Sequence, residues 1–317
     1  MANDFLVFGG GAGANVLTQA AWAALGARTA GFTSGVAQSA QLNKAWRQSS
    51  IMAAVLAQFI SDQTGQDSID DGTTATLLAN LKKANPGRLL RVTVYSIVAG
   101  VQQVSVDGGA FNTTGATVFN PRSDTTSIIV EQVGGGGGSG GTSATGSGTI
   151  SVTGGGGAGA YIRSRITSGF SGVAVTVGVG GSAGAAVAGT GGTGGTTSFG
   201  ALLSCNGGFG SNGRGAFAPP SISLPGGGAS QPANGNIVRS RGKDGGNGYT
   251  IGLGDFISGV GGDTPFGPGA TAVNATGAGQ SATSYGGGAG GACTGISAAA
   301  QAGGKGGDGV VIVYEYA

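Results

Sequence analysis

The sequence predicts a mainly β protein, opening with short coiled-coil-like helices and continuing as a β-sandwich or jelly-roll-like domain with long glycine-rich loops. Three observations carry that expectation. The β-branched run Ser127-Ile128-Ile129-Val130-Glu131-Gln132-Val133 passes without a break into Gly134 to Gly138. The junction returns in reverse where Gly303 to Gly309 leads into Val310-Val311-Ile312-Val313-Tyr314-Glu315-Tyr316. Sheet followed at once by glycine means strand, then backbone packed with almost no side chains. Second, Gly and Pro, at 73 and 8 of 317 residues, reach the level at which disorder enters, yet only 9% of residues are charged and 39% are hydrophobic. Disordered chains are charged and poor in apolar residues, so the glycines belong to an ordered fold. Third, Ser39 to Gln63 contains neither Gly nor Pro and carries a helical repeat.

In chain order, Phe5, Leu6 and Phe8 come first, ahead of a Gly9-Gly10-Gly11-Ala12-Gly13 hinge. Such a terminus frays unless it is held, either as a strand folded on its own body or by docking to a separate protein. Thr18 to Leu25 reads as a short helix with Thr18 as N-cap and Gly26 near its end. In the main helix, Leu42, Ala45, Ser49, Met52, Leu56, Phe59 and Gln63 draw a heptad seam, widened by Trp46, Val55 and Ile60. The other reading is an amphipathic helix packed within one chain. A second helix begins near Thr73 or Thr74, presents Leu77, Leu78 and Leu81, and ends at Lys82-Lys83 before Asn85-Pro86-Gly87. Pro86 closes the helical region, giving segments 1–37, 38–86 and 87–317.

Beyond it the period becomes two. Strands are expected over 88–98 and 101–106, at Ala116 to Phe119, at the Ile128 run, and over 160–166, 173–177 and 197–203, with the Val310 run as the last. The connections over 206–248 and 254–309 are too long for hairpins. They lack the strict Gly-X-Y period of collagen, but extended polyglycine segments in them could pack side by side as three-fold, polyproline-II-like helices.

The inventory speaks against catalysis. After residue 134 the carboxylates are Asp244, Asp255, Asp263, Asp308 and Glu315. Asp255 and Asp263 form the one plausible glycosidase pair, and Asp308 reads as a turn residue before Gly309. His is absent, so a serine or cysteine nucleophile lacks its usual base and the common zinc sets lose a ligand; no cofactor or metal is expected. Gly9 to Ala14 fails the context of a phosphate loop. Cys205 and Cys293 read as separate buried thiols, a bridge being the lesser alternative. Net charge of +2 gives no basic stripe for nucleic acid. No secretory signal opens the chain and no apolar run reaches the length of a membrane span, so membrane insertion is not expected. What remains for recognition is aromatic and basic groups in the long connections, which either contact a ligand or plug gaps in the core. Tyr249, Tyr285, Phe256 and Arg241 are the candidate anchors, with Asp255 as a polar orienter.

The run Ala2-Asn3-Asp4-Phe5-Leu6, the segment Asn15-Val16-Leu17-Thr18-Gln19, and above all Gly35-Val36-Ala37-Gln38-Ser39-Ala40-Gln41-Leu42-Asn43-Lys44-Ala45-Trp46-Arg47-Gln48-Ser49-Ser50 resemble the start of tail fibre proteins of tailed bacteriophages. The closing Gly-Gly-Asp-Gly-Val-Val-Ile-Val run resembles, by composition, the glycine-rich distal domains of such fibres. The resemblance implies a homotrimer in the virion, assembled in the host cytoplasm. Its N-terminus, with Phe5, Leu6 and Phe8, would join the baseplate or tail, and its C-terminal domain would bind a bacterial surface receptor such as a glycan, a pilus or an outer-membrane protein. A virion spacer or decoration protein without receptor binding, and a tailspike depolymerase, are the alternatives.

Overall fold

The computed structural model describes residues 2–36, 38–85 and 87–317. The chain falls into two compact units, residues 1–88 with Ala317 and residues 89–316. The boundary expected at Pro86 lies outside the described residues, as does Ala37, and the segments 1–37 and 38–86 share one unit.

In the first unit, α1 (Gln19–Ala23) is capped by Thr18, whose hydroxyl accepts from the Ala21 amide at 3.2 Å. A single turn, α2 (Ala27–Ala30), precedes α3 (Ser39–Thr64), which stops at Gly65 in the left-handed conformation. Helix α4 (Ala75–Lys83) carries Lys82 and Lys83 in its last turn, where cations suit the helix dipole. The N-terminus lies along its own helices. Asn3 bridges Ser68, with Asp4 N to Ser68 O and Ser68 N to Ala2 O both at 3.0 Å. Phe8 meets Trp46 edge-on at 5.7 Å, and Phe5 lines an apolar groove of about 270 Å³ with Leu56, Ile60 and Leu81. Leu6 stays 79% exposed.

The α3 seam differs from the face the unit buries. Ala57, Ile60 and Ser61 are buried, whereas Met52, Leu56 and Phe59 of the seam are exposed, together with Trp46 and Val55. Ser68 holds the buried side, its hydroxyl donating to Ala57 O at 2.9 Å.

The second unit is built on antiparallel sheets, none of them closed into a barrel. The largest has the order β11 (Val238–Ser240), β6 (Tyr161–Ile166), β4 (Ser127–Val133), β15 (Val310–Tyr316), β1 (Leu89–Val98), β2 (Val101–Val106). A second sheet has the order β3 (Val118–Phe119), β7 (Val173–Thr176), β8 (Thr197–Phe199), β9 (Leu203–Cys205). The two sequence-bracketing strands are therefore direct neighbours, Val130 facing Val313. The strand expected over 197–203 is instead a hairpin, because Gly200 turns at φ +52° and sends its amide to Ala174 O at 2.7 Å. The two sheets share one core. Ile128 and Val130 of β4, Val311 and Val313 of β15 and Ile162 of β6 meet Phe119, Val175, Phe199, Leu203 and Cys205.

Where the sequence predicts long loops, the structure has a solid block. From Gly134 the backbone donates in a three-residue cycle. Gly134 and Gly137 donate to Ala160 and Gly157; Gly135, Gly138 and Gly141 to Gly195, Gly192 and Gly189; Gly136, Ser139 and Thr142 to Gly307, Gly304 and Gln301, all at 2.7–3.0 Å. Three residues per turn is the periodicity of polyproline II. The same segment accepts from Gly208, Ser211 and Arg214 on a fourth neighbour, from Gly181 and Gly184 on a fifth, and from Ala289 on a sixth. Residues 153–160 are surrounded in the same way, donating to 206–209, 243–246 and 286–292 and accepting from 134–137, 226–229 and 259–262. The block is thus a bundle of columns bonded on all sides of its two innermost members, each of which has both antiparallel and parallel neighbours. Burial carries the period too, since Thr190, Thr193 and Thr196 are exposed while Gly191, Gly194 and Thr197 are buried.

Space explains the glycine. A Cβ placed on Gly136 would stand 1.9 Å from Gly287 O, and one on Gly261 would stand 1.8 Å from Gly288 O. No rotamer relieves a clash of a Cβ with backbone. The side chains inside the block are small, such as the Ala158 and Ala289 methyls, and its buried serines relay bonds the backbone cannot close. Ser139 Oγ accepts from Gly304 N at 2.7 Å and donates to Gly290 O at 2.6 Å; Ser211 Oγ accepts from Gly140 N at 2.9 Å and donates to Gly154 O at 2.6 Å. Both are buried, so each closes a pair of otherwise orphaned groups.

Candidate functional site

The columns give the block two ends. At the sheet end Gly134 leaves β4, Ala160 enters β6 and Gly309 enters β15; at the other end, the tip, stand Thr142, Thr153, Gly189, Ala292 and Gln301. Gly134 to Thr142, at about 3.1 Å per residue, spans roughly 25 Å.

The tip bears a three-stranded sheet, β10 (Ser221–Ser223), β12 (Gly248–Thr250) and β13 (Phe256–Ile257). A two-stranded pair, β5 (Ser151–Val152) with β14 (Cys293–Thr294), completes the strands described. Register sets Ile222, Tyr249 and Ile257 directly opposite one another, and all three are exposed. Alternation along the strands puts Leu224 and Ile251 on the same face, 69% and 80% exposed. The opposite face is covered, with Ser223, Gly248 and Thr250 buried. Ser223 Oγ donates to Val152 O at 2.6 Å, which ties this sheet to β5. The result is a row of large apolar side chains on a backbone held from behind.

The glycine-rich domain family model matches residues 112–316. The chain belongs to that family. No curated protein matches it. The match covers the block, its bracketing strands and the tip sheet, so the surface just described is part of this glycine-rich domain.

Within the domain the five expected recognition residues separate. Tyr249 and Asp255 lie at the tip and are exposed. Tyr249 OH accepts from Asn247 Nδ2 at 3.1 Å, and the Asp255 carbonyl accepts from Ile251 N at 3.0 Å, closing the turn between β12 and β13. Phe256 faces the other way, pairing with buried Thr250, and its ring would stand 3.3 Å from a Cβ on Gly295. It fills a gap under the tip sheet and does not join Tyr249. Tyr285 precedes Gly286 at the sheet end, where Tyr161, Phe266 and Tyr285 form a chain of edge-on rings at 5.9 and 6.1 Å. Arg241 also opens its column at the sheet end, and its guanidinium is bonded to Asp244 at 2.5 Å and to Gly242 O at 3.2 Å. Asp255 and Asp263 stand on either side of the column 258–262, at opposite ends of it, so they do not face each other as a pair.

Ile222, Leu224, Ile251 and Ile257 are the tip residues that sequence reasoning missed. The available signal was alternation, Ser221-Ile222-Ser223-Leu224 and Tyr249-Thr250-Ile251, too short to stand out from the glycine around it.

Three aspartates of the domain cap columns. Asp308, expected as a simple turn residue, accepts from Gly180 N at 2.7 Å and from Lys305 Nζ at 3.1 Å. Asp244 accepts from Gly228 N at 2.7 Å. Asp263 accepts from Gly269 N at 3.0 Å and pairs with Lys243. The Gly228 amide, then Arg241, holds the Asp244 carboxyl below its ordinary 3.8; Lys243, then the Gly269 amide, does the same for Asp263. The thiols of Cys205 and Cys293 are free and buried, and burial pushes each up to about 12. Among the described residues no group of three or more His, Cys, Asp or Glu side chains could hold a metal, and no helix is long and apolar enough to cross a membrane.

Proposed function

We propose that this chain is a tail fibre protein of a tailed bacteriophage and mediates adsorption to the bacterial host surface. The observation that carries the reading is the apolar row Ile222, Tyr249, Ile257, held out at the end of a rigid block. Monomeric proteins rarely leave such a row uncovered unless something docks on it. The resemblance of residues 2–50 to fibre starts supplies the viral context. In this reading Leu6 and Phe8, which remain exposed, contact the baseplate or tail, and Phe5 braces them from its groove.

The protein works as a homotrimer, and support comes from the exposed Met52, Leu56 and Phe59, a stripe that a parallel neighbour would bury. Its role is non-enzymatic, since Asp255 and Asp263 point to no shared substrate. It resides in the virion after assembly in the host cytoplasm. The test is adsorption inhibition: purified protein added to susceptible bacteria should block phage attachment in a dose-dependent way. Unchanged attachment at saturating protein would instead favour a spacer or decoration role. Sedimentation should give a trimer at micromolar concentration, and a monomer would remove the oligomeric part of the proposal.

A further inference from the structure

We infer, resting on the adsorption reading, that the tip recognises a protein, through an uncharged apolar loop of a host surface protein, and not a charged glycan or the lipid surface. After residue 134, Arg214 is the cation beside the tip sheet, and it is already engaged: its guanidinium lies 4.6 Å from the Phe217 ring centre and donates to Ser221 Oγ at 2.8 Å. The remaining cations sit on β6 and β11, as Arg163, Arg165 and Arg239, or are paired with carboxylates of the block, as Arg241, Lys243 and Lys305. An anionic polysaccharide would find no free Lys or Arg cluster to meet its phosphates or carboxylates. A bilayer carrying anionic lipids would find no basic rim either.

The row itself is almost wholly apolar. Ile222, Leu224, Ile251 and Ile257 offer no hydrogen bond, so sugar hydroxyls laid on them would lose water without replacement. One aromatic ring, Tyr249, stands among them. An apolar centre with Asn212, Asn247, Arg214 and Asp255 around it has the anatomy of a protein interface, apolar in the middle and polar at the rim. Beside it, an open cavity of about 330 Å³ is walled by Ile222 and Leu224 on one side and Asn212 and Arg214 on the other. That hollow is shaped to seat one side chain of the partner, next to the Tyr249 anchor.

The experiment measures binding of the full-length protein, fluorescently labelled, to susceptible cells by flow cytometry. We expect shaving of surface proteins by protease to abolish binding and periodate oxidation of glycans to leave it intact. Affinity should change less than about threefold between low and high salt, since no exposed ion pair is made. Tyr249→Ala should weaken binding about thirtyfold with an unchanged melting temperature, as for a central anchor. Ile251→Asp, at a position so exposed that folding is not at stake, should abolish it. Loss of binding on periodate treatment, binding to protein-free vesicles of host lipids, or full binding by both variants would overturn the inference while leaving adsorption intact. No binding of the wild-type protein to any susceptible strain would overturn the adsorption reading itself, and this inference with it.

Discussion

The sheet core and the glycine block exclude water by opposite means within one unit. Between the two large sheets, Phe119, Phe199, Ile128 and Val130 fill space with side chains, and stability there follows the apolar area removed from water. In the block, columns approach until carbonyls stand where side chains would be, and what holds it is a dense set of backbone hydrogen bonds on all sides of each inner column. The two regions should therefore fail under opposite substitutions: the core under truncation, the block under addition.

The largest effect is expected from adding atoms. Gly136→Val places a Cβ 1.9 Å from Gly287 O and has no rotamer that escapes, so the destabilisation should exceed about 5 kcal/mol and soluble protein should be lost on expression. Gly26→Ala, where a Cβ meets nothing within 4 Å, is the matched control and should be almost neutral. A folded, stable Gly136→Val protein would break the comparison.

Truncation in the core comes next. Phe199 is fully buried and packs on Phe119 at 5.5 Å, so Phe199→Ala should cost about 3–5 kcal/mol in denaturant unfolding. The same region holds Glu315 fully buried, accepting from Arg91, from Arg122 N at 2.9 Å and from Thr125 Oγ1 at 2.8 Å. Removing that carboxylate leaves Arg91 with Asn120 O alone and takes the acceptor from Arg122 N and Thr125 Oγ1, and Glu315→Ala should cost about 3–5 kcal/mol.

A deletion inside the block sharpens the contrast, because Ser139 acts there as a relay. Ser139→Ala removes little volume but leaves Gly304 N and Gly290 O unpaired, for a loss of about 2–6 kcal/mol at about 1–3 kcal/mol per buried group. Equal stability of Ser139→Ala would mean the lattice does not depend on the relay.

The smallest effect is electrostatic and confined to the block surface. The folded carboxyls of Asp244 and Asp263 titrate below 3.8, so their caps contribute fully above that pH and are lost as pH falls through the lower folded values. Melting temperature should drop on acidification below about pH 4, and Asp244→Asn with Asp263→Asn together should flatten that part of the profile. Both residues are largely exposed, so the change is a modest one.

The strands that bracket the glycine run, the helices α3 and α4 with their ends, the Thr18 cap and the buried state of both thiols were all legible in the sequence. Each depends on neighbours a few residues away, through alternation, helical spacing, capping and turn chemistry. The tertiary structure alone decided the rest. Which column bonds to which is set between segments tens to hundreds of residues apart, as when Gly136 meets Gly307, and a three-residue period in glycine leaves almost no side-chain pattern to read. The same reason separates Tyr249 from Tyr285 and Arg241: residues close in a list of loops stand at opposite ends of a column. Asp308 looked like a turn because Gly309 follows it, but its carboxylate serves Gly180 across the bundle. The N-terminus, apolar and followed by glycines, reads in sequence as folding on its own body or docking to a separate protein; the Asn3 to Ser68 bridge and the Phe8 to Trp46 contact are partners that only folding brings together.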